Sequence, residues 1–513
     1  MANPAESRTR GRTMVAGVVW NGVGRGLPLV FALVLTPILI HQLGLDRWGL
    51  FTLALAMVGV FGVFDFGVGQ ALTRALSERI GPTWDRHARN DDAVALVEAA
   101  LAALFGISVV VAIGLWLFIP VLVDRILLVP PGLRDQAIGA MRVLAAAAPL
   151  VVLNAALWGV LAAYQRFRAA NLVTIPVNIF YYLGPVLVLL VWDSLIGVML
   201  ALVACRLANT LSYLWLIRPL LPGLGLRRPR LALVAPLLHL GGWMTFSGLL
   251  TQAVLYADRF LIGALLSLSA VAFYATPLDL VLRVWILPVA VAQTLLPAFA
   301  SSFAAAPAQT AALLRRGGLL VMLLVFPACL LLVGGAREIL WLWLGQGFAE
   351  GSGRVLQWLG LGVFFSCVAF APSALLDAIG RPDATARFGL AQAAVFIPLA
   401  VLLIHLIGIE GAAIAWTLRA ATDCSGKLLL VARLYPPGAE AARRLAVPML
   451  AGGAGLALLL PMHGLPTLAA AGLPALTVFL VAAFRTLDPA ERGQLGAWIR
   501  RPALLLRPSG SQP

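Results

Sequence analysis

The sequence predicts an all-α integral membrane protein of about fourteen transmembrane helices, and three observations carry that prediction. The 513 residues are 61% hydrophobic and only 12% charged, with a mean hydropathy of +0.96. Soluble domains run near 25% charged, which excludes an ordinary soluble fold. Apolar runs long enough to cross a bilayer, roughly 20 residues each, recur along the whole chain. The arginines fall mainly in alternate loops between those runs.

The first two runs, Met14–Leu43 and Trp48–Leu76, are joined by one tight turn. Hydrocarbon offers backbone amides no water, so each span must be helical. Each holds one ionisable residue well inside it, Arg25 and Asp65. Such a residue costs at least a few kcal/mol unless it faces protein or a wet cavity, so a polar interior is expected. Met14–Leu43 is too long for a signal-peptide core and lacks a small-residue cleavage site, so it should remain as a permanent span.

Four further runs follow at Ala93–Val123, Gln136–Tyr164, Leu172–Trp192 and Leu195–Ile217. A basic, proline-rich connection, 218–236, then separates six more: Leu237–Ile262, Ala270–Ser301, Leu313–Leu344, Val355–Ile379, Ala384–Ile407 and Gly411–Leu434. A last pair, Leu445–Met462 and Leu465–Phe484, is short and broken by Pro461, Pro466 and Pro474. The expected organisation is a basic N-terminus (1–13), an N-lobe (14–217), the linker (218–236), a C-lobe (237–434), the last pair (435–486) and a basic tail (487–513).

Loop charge tests the count and orients the chain. With the N-terminus in the cytoplasm, the inside loops and tail collect 25 arginines, among them Arg74, Arg79, Arg86, Arg89, Arg227, Arg228, Arg230, Arg443 and Arg444. The outside loops hold five: Arg47, Arg125, Arg134, Arg337 and Arg354. A missed helix would scramble that alternation, so both termini are expected in the cytoplasm. The net charge of +15 is explained by these loops and not by nucleic-acid binding. At an offset of 223 residues Leu45, Phe51, Gln70, Leu72 and Ala75 correspond to Leu268, Tyr274, Gln293, Leu295 and Ala298, which favours two pseudo-symmetric six-helix lobes around a central cavity.

Cys205, Cys329, Cys367 and Cys424 all lie in apolar runs without CxxC spacing and read as small buried hydrophobes, not a metal or disulfide framework. No phosphate-cradling G-x-x-x-x-G-K-[ST] occurs, since Gly426-Lys427 is followed by Leu428, and no loop is long enough for a catalytic domain. A transporter that needs neither cofactor nor metal and is not an enzyme is expected.

Several phrases carry a resemblance. Phe64-Asp-Phe-Gly-Val-Gly-Gln-Ala-Leu-Thr-Arg74 resembles the end of the second helix in Wzx-like polysaccharide flippases. These belong to the multidrug/oligosaccharidyl-lipid/polysaccharide exporter superfamily. Tyr256-Ala-Asp-Arg-Phe-Leu-Ile-Gly263 resembles that family's seventh helix end, and Leu375–Arg387 its tenth-to-eleventh connection. Gly408-Ile-Glu-Gly-Ala-Ala-Ile-Ala-Trp416 resembles the start of its twelfth helix. The extra helix pair is similar to the fourteen-helix members, including the lipid II flippase branch. The resemblance implies a MATE/MurJ-like pair of lobes opening alternately to each side of a bacterial inner membrane. The implied cargo is an oligosaccharide on undecaprenyl pyrophosphate, destined for O-antigen, exopolysaccharide or capsule. A coupling ion (H+ or Na+) and the polymerase and export machinery are the other candidate partners.

Such a cargo needs cations for phosphate, polar and aromatic groups for sugars and an apolar gap for the lipid tail; Arg suits phosphate because its planar fork is bidentate. The intramembrane basic residues are Arg25, Arg142, Arg206, Arg259, Arg283, Arg419 and Lys427, and the acids are Asp65, Asp258, Asp279, Asp377 and Asp423. Arg25 lies near mid-bilayer with no acid within four residues, and either contacts cargo or pairs with Asp65. Asp279 and Arg283 are spaced i, i+4, so they can bridge along the helix or line the cavity. Arg419, Asp423 and Lys427 repeat every four residues as one polar stripe. Adjacent Asp258 and Arg259 point in different directions and read as a gate or structural pair. Tyr274 and Trp285 share a span with Arg283 and are the candidate sugar-stacking rings, against the commoner interfacial role of Trp and Tyr.

Three alternatives compete. A cation-coupled multidrug exporter of the same superfamily would favour acidic cavity residues, whereas the charge here tilts basic. A membrane glycosyltransferase or polymerase would need a sizeable external loop. A scaffold subunit would not need buried charges in several helices.

Overall fold

The structure is a computed structural model; it describes residues 27–61, 72–73, 75–77, 86–225, 252, 255–462, 464–489 and 491–492. Where they are described, the sequence's long apolar runs are helical, and no strand occurs among the described residues. Nine helical stretches among the described residues are long and apolar enough to cross a membrane. The protein is a multi-pass membrane protein, and these helices are compatible with the expected count.

Helix α1 (Leu27–Leu43) turns through Gly44 into α2 (Leu45–Phe61). The long α3 (Arg86–Val121) ends in a π-helical turn, Leu122–Ile126, just after Pro120, whose ring cannot continue the hydrogen-bond ladder. Helices α4 (Arg134–Ala146), α5 (Ala148–Ala163), α6 (Phe167–Val191) and α7 (Leu195–Ile217) follow. Ser194 caps α7, accepting from the Gly197 N–H at 3.4 Å, and Asp193 beside it pairs with Arg47 of α2 at 2.7 Å. Helix α8 covers 255–265 and α9 is Leu268–Leu282.

A 3-10 turn, Arg283–Trp285, separates α9 from α10 (Ile286–Ser302). After it come α11 (Pro307–Gly334), α12 (Ala336–Leu344), α13 (Gln346–Val368) and α14 (Phe370–Ala378). Helix α15 (Pro382–Leu434) is continuous in hydrogen bonding but breaks at Ile407–Gly408, where Gly408 adopts φ +64°. That left-handed backbone is open to glycine without strain. Three residues later a Cβ on Gly411 would stand 2.0 Å from the Leu403 carbonyl oxygen, so only glycine lets the chain fold back this tightly. Helices α16 (Ala439–Leu458) and α17 (Leu465–Thr486) complete the chain.

The described residues form two compact units, one up to Ala275 and one from Thr276, with the boundary inside α9. The core of the first is built by α3, α5 and α7: Val94, Val97, Leu104, Val152, Leu157, Val160, Tyr213 and Ile217 are all nearly solvent-free. The core of the second is aromatic. Phe326 of α11 stacks on Phe479 of α17 at 4.0 Å, with Phe364 of α13 edge-on to Phe326 at 5.8 Å. The last helix pair therefore belongs to the core of its unit. Leu45 and Leu268, matched by the 223-residue offset, each open a helix, and their partners Phe51 and Tyr274 are both buried.

Candidate functional site

In the first unit a polar cluster spans α5, α6 and α7. Arg206 and Thr210 lie one turn apart on α7, and the Thr210 hydroxyl donates to the Arg206 carbonyl oxygen at 2.9 Å. The same hydroxyl lies 3.2 Å from Asn154 Oδ1, and Asn154 Nδ2 donates to the Arg206 carbonyl at 3.3 Å. These bonds pin the backbone beneath the arginine. Its side chain reaches Tyr181 of α6, donating from Nη2 to the phenol oxygen at 3.4 Å, with the guanidinium carbon 5.5 Å from the ring centroid. A second arginine, Arg142 of α4, lies 5.3 Å over the Trp116 ring of α3. Among the described residues neither Arg142 nor Arg206 forms an ion pair, and the Nε of each is buried without a hydrogen-bond partner. A guanidinium held by aromatic faces keeps its charge and its fork available to an anion.

Asp258 and Arg259 are 0% and 4% exposed. Asp258 accepts from the Arg259 backbone N–H at 2.8 Å and from the Tyr274 hydroxyl at 2.5 Å, while the Arg259 guanidinium lies 5.5 Å over Tyr256. Tyr274 is wholly buried. In this conformation its ring faces the carboxylate of Asp258 and is closed to a sugar.

In the second unit the half of α15 after the Gly408 break presents the other predicted stripe. Lys427 bridges Asp423 at 2.7 Å. Arg419 lies over both Phe396 and Trp416, at 5.4 and 5.9 Å, and Gln392 donates to its carbonyl oxygen at 2.8 Å. The stripe thus resolves into one neutral pair and one cation held by rings. Arg283 is exposed on the 3-10 turn, Asp279 is half-buried, and both have interaction partners. Trp285 packs edge-on against Phe370 at 5.9 Å. Arg25 and Asp65 lie outside the described residues.

The Arg206 cluster was not assembled from sequence, although Arg206, Tyr181 and Arg142 each stand out there as polar residues in apolar runs. The available signal was the run Arg206-Leu-Ala-Asn-Thr210, whose polar groups recur on one helical face. Its partners, Asn154 and Tyr181, come from other helices at unpredictable register.

Residues 14–303 match the family model described as polysaccharide biosynthesis protein. The chain belongs to that family. A Shigella flexneri protein named for O-antigen transport is 25% identical over 426 residues, covering 82% of this chain and 98% of that protein. Among solved structures, this polysaccharide biosynthesis protein is similar to an inward closed conformation of the lipid II flippase MurJ. The TM-score is 0.68 at 13% identity, covering 91% of this chain and 98% of that one. An inward-facing multidrug resistance MATE transporter of the MOP superfamily gives 0.64 at 14% identity, covering 83% and 98%. These likenesses establish the MATE/MurJ-like fold. Within that fold, Arg142, Arg206, Arg259 and Arg419 are held against aromatic rings of membrane helices in this family member, an arrangement suited to an anionic group and poorly suited to a cationic one.

Proposed function

We propose that this protein flips a polyprenyl-pyrophosphate-linked oligosaccharide from the cytoplasmic to the periplasmic leaflet of a bacterial inner membrane, supplying polysaccharide biosynthesis. The observation that carries this reading is Arg206, a half-buried guanidinium without an acid partner among the described residues, on a membrane helix of a polysaccharide biosynthesis family member. Burying a pyrophosphate unpaired would cost several kcal/mol per charge, so its carrier needs surplus positive charge inside the membrane. Arg142 and Arg206 have that surplus, whereas Lys427 is neutralised by Asp423.

In the proposed cycle two lobes, 14–217 and 237–434, open alternately around the cargo. The cargo's phosphates meet arginines, Arg25 among them, and its lipid tail stays in the bilayer. The 3-10 turn at Arg283–Trp285, flanked by Pro277 and Pro288, is a place where a span can bend, because proline leaves carbonyls without their intrahelical donors. Without a nucleotide-binding loop, the driving force is the cargo gradient or an ion gradient and not ATP.

The purified protein, reconstituted in liposomes with a fluorescent lipid-linked oligosaccharide, tests this. Flipping without ATP is expected, and Arg206→Ala should slow it more than Arg206→Lys does. Movement of cationic dyes but not of the lipid-linked glycan would overturn the proposal in favour of a drug exporter.

A further inference from the structure

A second feature of the first unit lies apart from the Arg206 cluster. One face of α7 carries Leu211, Leu214 and Trp215 and continues to Arg218 just past the helix end, the four spaced i, i+3, i+4 and i+7. Facing it, Glu98 and Leu101 stand one turn apart on α3, and together they line a cleft of about 580 Å³ closed by Leu224 and Gly225. The cleft opens at the end of α7 that leads into the basic linker. Trp215 is 72% exposed there, as expected of a ring at a membrane–water interface.

Glu98 is the unusual member. It is only 8% exposed and lies beside the core formed by Leu96, Val97 and Ala100. One carboxylate oxygen accepts from the Gly225 N–H at 2.7 Å. The other, Oε2, is buried and has no hydrogen-bond partner among the described residues. A buried charged oxygen left unsatisfied is costly, and three features narrow what would satisfy it. The ligand must bring an N–H donor or cation to Glu98. It can bring an anion to Arg218, which is exposed at the rim and makes no ion pair among the described residues. It must also cover Leu101, Leu211, Leu214 and Trp215 with hydrocarbon.

We propose that this cleft is a binding site for an amine-headed phospholipid of the phosphatidylethanolamine type. The primary ammonium donates to Glu98 Oε2, the phosphate meets Arg218, and an acyl chain lies along the leucine face of α7. The cleft's lining supplies one partner for each group: a buried acid, an exposed base and an apolar wall. A quaternary ammonium has no N–H to donate, and an anionic glycerol headgroup would face Glu98 without a positive charge. The site concerns a resident lipid, and its test reads lipid retention, so its failure leaves the proposed transport untouched.

The full-length protein, purified in detergent and exchanged into equimolar dioleoyl phosphatidylethanolamine, phosphatidylcholine and phosphatidylglycerol, is analysed by native mass spectrometry for retained lipid. Wild type should retain the ethanolamine lipid roughly tenfold over the choline lipid, the ratio expected for one charge-assisted hydrogen bond. Glu98→Gln keeps an acceptor for the Gly225 N–H and so keeps the fold, yet should bring that ratio close to one. Arg218→Gln should weaken retention of all three lipids. Equal retention of ethanolamine and choline lipids by wild type overturns the proposal, as does a preference that survives Glu98→Gln.

Discussion

Arg315 of α11 and Glu491, 176 residues apart, form a bidentate pair: Nη1 donates to Oε2 at 2.5 Å and Nη2 to Oε1 at 3.0 Å. Arg315 is only 3% exposed, and it also pairs with Asp488 and donates to the Thr486 carbonyl at 3.1 Å. Arg316 and Arg444 reach the same two acids, so α11, α16 and the end of α17 meet in one network. Bidentate charge-assisted bonds are about twice as strong as neutral ones. A double-mutant cycle on Arg315→Gln and Glu491→Gln, read by thermal unfolding in detergent, should give a coupling of about 2 kcal/mol. A coupling near zero would show that the network contributes nothing to docking the last helix.

The same pair predicts a pH dependence. The Arg315 guanidinium, helped by the Asp488 N–H and Arg316, holds the Glu491 carboxyl down to about 2 from an ordinary 4.5. A lowered folded-state value means stability that is present above 4.5 and lost as pH falls through about 2. The melting-temperature gap between wild type and Glu491→Gln should stay level above about 4.5, shrink as pH falls from there toward about 2, and be gone below it.

Buried Asp258 accepts from Tyr274 and from its own chain, so its removal strands both donors. Asp258→Ala should cost roughly 2 kcal/mol or more, and Tyr274→Phe less, since the Arg259 N–H still reaches the carboxylate. If the group gates transport, Asp258→Asn should cut the flipping rate far beyond its effect on melting. Parallel losses of rate and stability would assign it a structural role only.

Arg25 is expected to carry the cavity's least-neutralised charge. Arg25→Ala should abolish glycan export while the protein stays in the membrane, and Arg25→Lys should rescue in part, because an ammonium keeps charge but loses the fork. Asp65→Asn separates two roles. As damaging as Arg25→Ala, with a double mutant no worse, it indicates a salt bridge; milder, it indicates cargo contact. Export by Arg25→Ala at native levels would remove Arg25 from the site.

Single cysteines introduced in place of Gly132 and Gly347 should react with an impermeant thiol reagent from the periplasm, and those in place of Gly223 and Pro437 only after permeabilisation. These positions lie in loops, short turns or helix starts between spans. Periplasmic labelling at position 437 would overturn the orientation of the last helix pair.

The helical membrane fold class, the break at Gly408 and the polysaccharide-family resemblance were legible along the chain, because they depend on local quantities. A bilayer demands about 20 apolar residues per helix, an arginine counts the same in any loop conformation, and a tight turn needs its glycine wherever the helices go. Which polar residues meet is not local. The i, i+4 spacing of Asp423 and Lys427 foretold their bridge, since one helix sets that geometry by itself. Tyr274 read as a free ring beside Arg283, yet its hydroxyl is bound to Asp258, sixteen residues back across the turn after α8. The joining of Asn154, Tyr181 and Arg206, the free oxygen of Glu98 opposite Arg218, and the Arg315–Glu491 clamp each needed two or three helices in register. Register is decided by ridges and grooves of packed side chains summed over whole helix faces, and no single stretch of sequence contains that sum.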